Sequence, residues 1–165
     1  MTGERQPCGL GKAAGRGGWE EPEEEIYTPR EVMHTKPVIL AVDDDLLFRN
    51  LLEQQLQHIG YAPIMATSAE EALAVLERQV VDLILSDFVM PDIDGMEFME
   101  QVHRQHPDIP FIIVTAHASI DHSVEAMRRG ANNYVDKHWE LDALHILIER
   151  ALAHQRLKNK NVEIR

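Results

Sequence analysis

Val38-Ile39-Leu40-Ala41-Val42-Asp43-Asp44-Asp45 and, further along, Val81-Asp82-Leu83-Ile84-Leu85-Ser86-Asp87 are the two stretches that decide the fold. Each is a short apolar run that ends in acid. A run without polar alternation is what a strand covered on both faces requires, because both of its faces leave water. Between the two, Phe48, Leu52, Leu56 and Ile59 recur at helical spacing, and Gly60 follows as a stop. Strand, helix and strand in this order describe a parallel crossover.

The same alternation extends outward. Tyr61 to Ala66 reads as a second strand, and Pro63 within it, lacking an N–H, demotes it to a sheet edge. Ser68 with Glu71 is a capping box that opens a helix to about Arg78. Val81 to Ser86 is the third strand. Asp94 with Glu97 forms a second cap pair, and His106-Pro107 ends that helix. Phe111 to Thr115 is the fourth strand, Ser119 to Arg129 a helix with Gly130 after it, and Asn132 to Val135 a short fifth strand. A last helix runs from about Glu140 past Lys158. Five strands alternating with five helices predict an α/β fold with a doubly wound parallel sheet, of the flavodoxin-like order 2-1-3-4-5. That order puts the second strand at an edge, where Pro63 is tolerated.

Composition narrows the function. The chain has 165 residues, with Lys plus Arg at 16 against Asp plus Glu at 28, a net charge of −12. This balance argues against direct nucleic-acid binding, which needs a positive patch, and suits a site that concentrates a divalent cation. Cys8 is the single cysteine, so no intramolecular disulfide forms and a reducing, cytoplasmic setting is expected. The apolar runs are strand-length, and no membrane span is expected.

Residues 1–36 show no hydrophobic period and carry the acidic run Glu20-Glu21-Pro22-Glu23-Glu24-Glu25, so a disordered extension is expected there. Met33 is a candidate translation start, which the intact mass of the native protein would test. Gly9-Leu10-Gly11-Lys12 lacks both the hydroxyl residue after the lysine and the preceding strand of a phosphate loop, and reads as noise.

In a doubly wound sheet, ligands bind outside the carboxyl ends of the strands, at the switch point between the first and third. Asp43, Asp44 and Asp45 end strand one, Asp87 ends strand three, Thr115 ends strand four and Lys137 follows strand five. Clustered carboxylates repel one another, and a hard divalent cation with oxygen ligands relieves that repulsion. Magnesium neutralises charge on a transferring phosphoryl group. A deprotonated Asp87 needs no base to attack phosphorus. Lys137 and Thr115 stand where the phosphoryl oxygens would be.

These segments, together with Met90-Pro91-Asp92-Ile93-Asp94-Gly95, Val114-Thr115-Ala116 and Gly130 through Tyr134 to Lys137, resemble the receiver domain of two-component response regulators. The resemblance covers residues 37 to about 155, leaving 156–165 as a helical extension or linker. It implies that Asp87 is the phosphoacceptor. It implies that Asp44, Asp87 and the Val89 carbonyl bind Mg2+ directly and Asp43 through water. It makes Thr115 and Tyr134 the switch pair, Lys137 the phosphoryl contact and a sensor histidine kinase the donor. The strand order 2-1-3-4-5 is also what the resemblance implies.

The chain departs from the family at His138, where proline usually follows the lysine. A cis bond before proline costs about 0.5–1 kcal/mol, against roughly 2.5–4 before other residues. The family's lysine–proline bond is generally cis, so a trans bond is expected at 137–138. Val89 and His117 occupy positions where the family varies and phosphoryl lifetime is tuned.

Blander roles are expected elsewhere. Asp45 and Asp94 read as helix caps, Asp92 as solvated and Gly95 as a turn residue. His103 and His106 share a helix face without the further ligands zinc needs.

Two other functions compete with the switch. A phosphatase of the haloacid dehalogenase type would use Asp43 as nucleophile. However, Leu46 stands where glycine is usual and the chain is short, so a non-enzymatic reading leads. A dimerisation module is the second, because Leu141, Leu144, Ile148 and Ala151 form an apolar stripe leading into basic Arg150, Arg156, Lys158 and Lys160. A homodimer or an output domain is the partner that this helix suggests. A single-domain regulator and a piece of a longer chain both fit.

Overall fold

The computed structural model describes residues 36–138 and 141–164, without the side chains of 141 and 158–164. The expectations placed on residues 1–35, from Cys8 to Met33, lie outside the described residues, as does the side chain of Leu141. The strands are β1 (Val38–Val42), β2 (Ala62–Ala66), β3 (Leu83–Ser86), β4 (Phe111–Thr115) and β5 (Asn133–Asp136). The helices are α1 (Leu46–Ile59), α2 (Ala69–Arg78), α3 (Gly95–Gln105), α4 (Ile120–Arg128) and α5 (Leu141–Ile164). All pairings are parallel, and the order is β2-β1-β3-β4-β5. Pro63 sits on the edge strand β2, opposite Ile39 of β1.

Three strands start later than their apolar runs suggest. The Tyr61 amide donates to the Leu56 carbonyl at 2.9 Å, closing the end of α1 instead of entering β2. Gly60 makes that exit possible with φ of 118°, a left-handed conformation that costs glycine nothing. Asp82 precedes β3, its carboxylate accepting from the Val38 amide at 2.7 Å. Asn132 precedes β5 and uses its side chain to accept from the Phe111 amide at 3.0 Å.

The strand side chains divide between two cores. Leu40, Val42, Ile84, Phe111 and Ile113 meet Ala72, Val75, Phe98, Met99 and Ala126 on the side of α2, α3 and α4. Ile39, Ala41, Leu83, Leu85, Ile112, Val114 and Val135 meet Leu52 and Leu56 of α1 and Leu144, Ile148, Ala151 and Leu152 of α5. Successive residues of a strand point to opposite faces, so continuous apolar runs are what a doubly covered sheet demands. Among the described residues no helix is long and apolar enough to cross a membrane.

The caps were legible in the sequence, with two changes. Asp45 accepts from the Leu47 and Phe48 amides, and Asp94 from the Glu97 amide at 2.8 Å. Ser68 accepts from the Glu71 amide, but the Glu71 carboxylate turns back to the Thr67 amide and hydroxyl, both at 2.8 Å, not to Ser68. Asp92, expected to be merely solvated, is exposed yet reaches across from the β3–α3 loop to α2. It accepts from the Glu70 amide at 2.9 Å and the Ala69 amide at 3.3 Å. Burial, the largest single influence, pushes the Asp92 carboxyl up, but the amides of Glu70, Ile93 and Ala69 outweigh it and hold it below its ordinary value. Asp92→Ala should lower stability by about 0.5–1 kcal/mol, the lower part of the range for a lost cap because the carboxylate is in water. Urea unfolding would measure it, and an unchanged midpoint would assign the capping to Ser68 alone.

Candidate functional site

A parallel sheet puts every strand's carboxyl end on one rim, and β1 and β3 are neighbours at its centre. Val42 pairs with Ser86, so the residues after them, Asp43 and Asp87, stand side by side. Their backbones are held by the sheet: the Asp87 amide donates to the Val42 carbonyl at 2.9 Å and the Asp43 amide to Ala66 at 3.0 Å. Asp43 and Asp87 are buried, at 2% and 8% exposure, whereas Asp44 faces solvent. Carboxylate oxygens of Asp43, Asp44 and Asp87 lie within 4.8 Å of one another.

Lys137 enters this group from the end of β5. Its amide donates to the Thr115 carbonyl at 2.9 Å, which ties its backbone to β4. Its Nζ lies 2.6 Å from Asp43 Oδ2 and 3.2 Å from Asp87 Oδ2. The same ammonium sits 4.6 Å from the centre of the Phe48 ring, a cation–π contact. No cis peptide bond occurs among the described residues, so the 137–138 bond is trans, as expected from His138, and the lysine still reaches both carboxylates.

Burial is the largest influence on Asp43 and raises its carboxyl above the ordinary value, against hydrogen bonds from Lys137 and the Asp45 amide. Burial works the other way on Lys137, but the carboxylates of Asp43 and Asp87 outweigh it and raise the ammonium's pKa. The lysine therefore stays charged, and its charge holds the carboxylates together at the rim.

Thr115 is fully buried at the end of β4, and its hydroxyl accepts from the His117 amide at 3.2 Å. Tyr134 lies on the neighbouring strand, half-buried. Its Oη is buried and has no partner within hydrogen-bond geometry among the described residues. Burial also raises its pKa. Thr115 and Tyr134 are thus close in the sheet but not joined by a hydrogen bond. Val89 is exposed in the loop after β3, and its amide points at Asp87 Oδ1, 3.4 Å away.

Three neighbours of the site escaped the sequence reading. Phe48 shows in the sequence only as one residue of a helical face, yet its ring also lies under the lysine. Arg49 donates to the Asp43 carbonyl at 2.9 Å, which no periodicity signals. Gly95 was read as a turn residue, but it has no left-handed φ. A Cβ there would stand 2.5 Å from the Asp87 carbonyl oxygen and 3.0 Å from Phe88 Cα, so close approach, not turn geometry, demands the glycine. His103 packs edge-on against Phe111 with its Nε2 at 3.3 Å from the Ile109 carbonyl, a structural role.

The donor set suits a hard cation: three carboxylates converge without sulfur or imidazole among them. The family model described as the response regulator receiver domain matches residues 39–149. The DNA-binding transcriptional regulator NtrC of Salmonella typhimurium is 35% identical over 129 residues, covering 77% of this chain and 28% of that protein. The transcriptional regulatory protein ZraR of Klebsiella oxytoca is 37% identical over 124 residues, covering 75% of this chain and 28% of that protein. The chain therefore spans little more than a quarter of the length of these curated relatives. Among solved structures, a CheY-like receiver domain protein from Methanospirillum hungatei superposes with a TM-score of 0.71 at 33% identity, over 74% of this chain and 98% of that one. The beryllofluoride-activated NtrC4 receiver domain dimer superposes with a TM-score of 0.69 at 29% identity, over 72% of this chain and 98% of that one. With the family's motifs standing at the carboxyl rim of the family's sheet, this chain belongs to the response regulator receiver domains of two-component signalling, the phosphoacceptor domains of those systems.

Proposed function

We propose that Asp87 accepts the phosphoryl group and that Lys137 and Thr115 steady it. The observation that carries this reading is the buried Asp87 carboxylate, 3.2 Å from the Lys137 ammonium and within 4.8 Å of the β1 carboxylates. An Asp87 oxygen forms the new bond to phosphorus while the donor's P–O or P–N bond breaks, the electron pair leaving with the donor. Lys137 leans toward the added phosphoryl oxygens, and the Thr115 hydroxyl, an acceptor for the His117 amide, donates its own proton to them. Tyr134, with its unpartnered Oη, is the side chain free to answer that movement, which makes Thr115 and Tyr134 the switch pair. The product is an acyl phosphate on the protein itself, so the domain acts as a switch rather than a catalyst of turnover. Its test is mass: acetyl phosphate with magnesium should add one phosphoryl group to the intact chain.

The residues that would hold Mg2+ are Asp44, Asp87 and the Val89 carbonyl directly, with Asp43 through water. Magnesium, when bound, supplies positive charge that offsets the phosphoryl group's own. Asp43 is already engaged by Lys137 at 2.6 Å, whereas Asp44 is exposed. Asp44→Asn should therefore weaken magnesium binding about tenfold or more, and Asp43→Asn less. Equal losses in a fluorescence titration would overturn the division of roles.

A sensor histidine kinase is the proposed donor. Leu46, Leu47 and Leu51 expose apolar surface at the start of α1, just beyond Asp45, and Leu47 is 80% exposed. Such a patch beside the acceptor is a place for a donor protein to seat. Leu47→Glu should slow transfer from the kinase about tenfold, an interface hot-spot effect, while leaving the rate from acetyl phosphate unchanged. Slowing of both would mean that the substitution damages the site itself. A second copy is a further proposed partner. Ile120, Val124 and Met127 expose apolar surface on α4, and one similar receiver was solved as a dimer.

We place the receiver at residues 37–155, with 156–165 as its helical extension toward an output partner, in the cytoplasm. NtrC is named as DNA-binding, but the net charge of −12 here disfavours direct contact between this chain and nucleic acid.

A further inference from the structure

Lys137 needs an exact backbone position, because its ammonium has to reach two carboxylates on other strands. Its amide side is held by β4. Its carbonyl side leaves the sheet into a turn, at the point where the family pattern has proline and this chain has His138. In that turn the Asp136 carboxylate reaches over the lysine. Asp136 Oδ1 accepts from the His138 backbone amide at 2.9 Å and lies 2.7 Å from His138 Nδ1. Two contacts from one oxygen close a small ring around the Lys137 backbone. This is the turn that aspartate forms with the amide two residues on.

We infer that Asp136 is a positioning residue for Lys137, clamping the turn after β5 and so setting where the ammonium rests between Asp43 and Asp87. A proline ring restrains that turn covalently, and here a carboxylate does so by hydrogen bonds. Several features support the assignment. Asp136 is the last residue of β5 and pairs with Thr115, so the clamp is built on the sheet and not on a free loop. The His138 amide and imidazole hold the Asp136 carboxyl below its ordinary value, as expected if its ionised form is the one bonded. Lys137 is only 10% exposed, whereas His138 is 79% exposed, so the histidine ring makes the outer contact and the lysine the inner one. The inference rests on the phosphoacceptor reading of the site.

The test compares the unsubstituted chain with Asp136→Ala, Asp136→Asn, Lys137→Ala and the double variant Asp136→Ala with Lys137→Ala. Acetyl phosphate at saturating magnesium is the donor, and thermal melting checks that each variant folds. Asp136→Ala should slow phosphorylation about fivefold, the scale of one lost net hydrogen bond. Asp136→Asn should recover most of that loss, since its amide oxygen still accepts from His138. In the Lys137→Ala background, Asp136→Ala should change nothing further, because no lysine remains to be positioned. Equal slowing with and without Lys137 would overturn the inference, as would an asparagine no better than alanine.

A second readout avoids phosphorylation. In the metal-free protein, Asp136→Ala should raise acetic anhydride labelling of the Lys137 amine, read by peptide mass, as the ammonium leaves its carboxylates. Unchanged labelling would overturn the clamp. A labelling change in a chain that takes up no phosphoryl group would instead uphold the clamp and sink the phosphoacceptor reading.

Discussion

Asp87→Asn should leave the chain with no phosphoryl uptake. The substitution keeps the shape of the side chain, and the carboxamide can still meet Lys137 at the 3.2 Å seen for Asp87 Oδ2, so the domain should fold. It removes the anionic oxygen that attacks phosphorus, and an amide oxygen is a far poorer nucleophile. The other acids nearby are not replacements. Asp43 is buried, its carboxyl is raised by that burial, and it is already bonded to Lys137. Asp44 faces solvent. The expected fall in labelling by acetyl phosphate is at least about a thousandfold, the loss of a whole chemical route rather than of one stabilising contact. Intact mass at saturating magnesium measures it. Labelling of Asp87→Asn at the rate of the unsubstituted chain would move the acceptor to β1 and favour Asp43 as nucleophile.

Gly95→Ala should be the most damaging single-methyl substitution in the domain. Gly95 opens α3 with its amide bonded to the Phe88 carbonyl at 2.7 Å, which pulls the helix start against the acceptor loop. The added Cβ would stand 2.5 Å from the Asp87 carbonyl oxygen and 3.3 Å from its carbonyl carbon. Both are backbone atoms of a residue anchored in the sheet, so no rotamer change relieves the clash. The helix start or the loop must shift, at an expected cost of about 3 kcal/mol, the upper part of the range for overpacking. In a domain of this size that corresponds to a fall in melting temperature of about 10 °C. The displaced loop also carries Asp87 and Val89, so magnesium binding should weaken in the same variant. A melting point within a degree or two of the unsubstituted protein would show that the loop yields without cost. Normal metal affinity alongside a lowered melting point would show that the strain is absorbed on the helix side.

Much of this protein could be read from its residues in order. Apolar runs too continuous for a half-exposed sheet demanded cover on both faces, and the two cores that divide Leu40 from Ile39 and Ile84 from Leu83 are that cover. Pro63 called for an edge. Acids at the ends of β1 and β3 called for a shared rim, because parallel strands end on one side. These features are local or follow from topology, so the sequence carries them openly. Strand starts were less legible. Tyr61, Asp82 and Asn132 continue the pattern, but the Tyr61 amide turns back to the end of α1, while Asp82 and Asn132 meet the neighbouring strand through a side chain as well as through the backbone amide.

By itself the sequence determined the strand–helix alternation, the sheet order, the caps at Asp45, Ser68 and Asp94, and the gathering of Asp43, Asp44, Asp87, Thr115 and Lys137 at one rim. Only the tertiary structure decided that Lys137 rests closer to Asp43 than to Asp87, that Asp92 caps a helix belonging to another part of the chain, and that Gly95 is needed for contact with Asp87 rather than for a turn. The division has a physical cause. Periodicity, capping and topology depend on neighbours within a few residues or on the direction of whole strands. Each of the other three depends on distances between atoms many residues apart, which packing sets and no short pattern encodes.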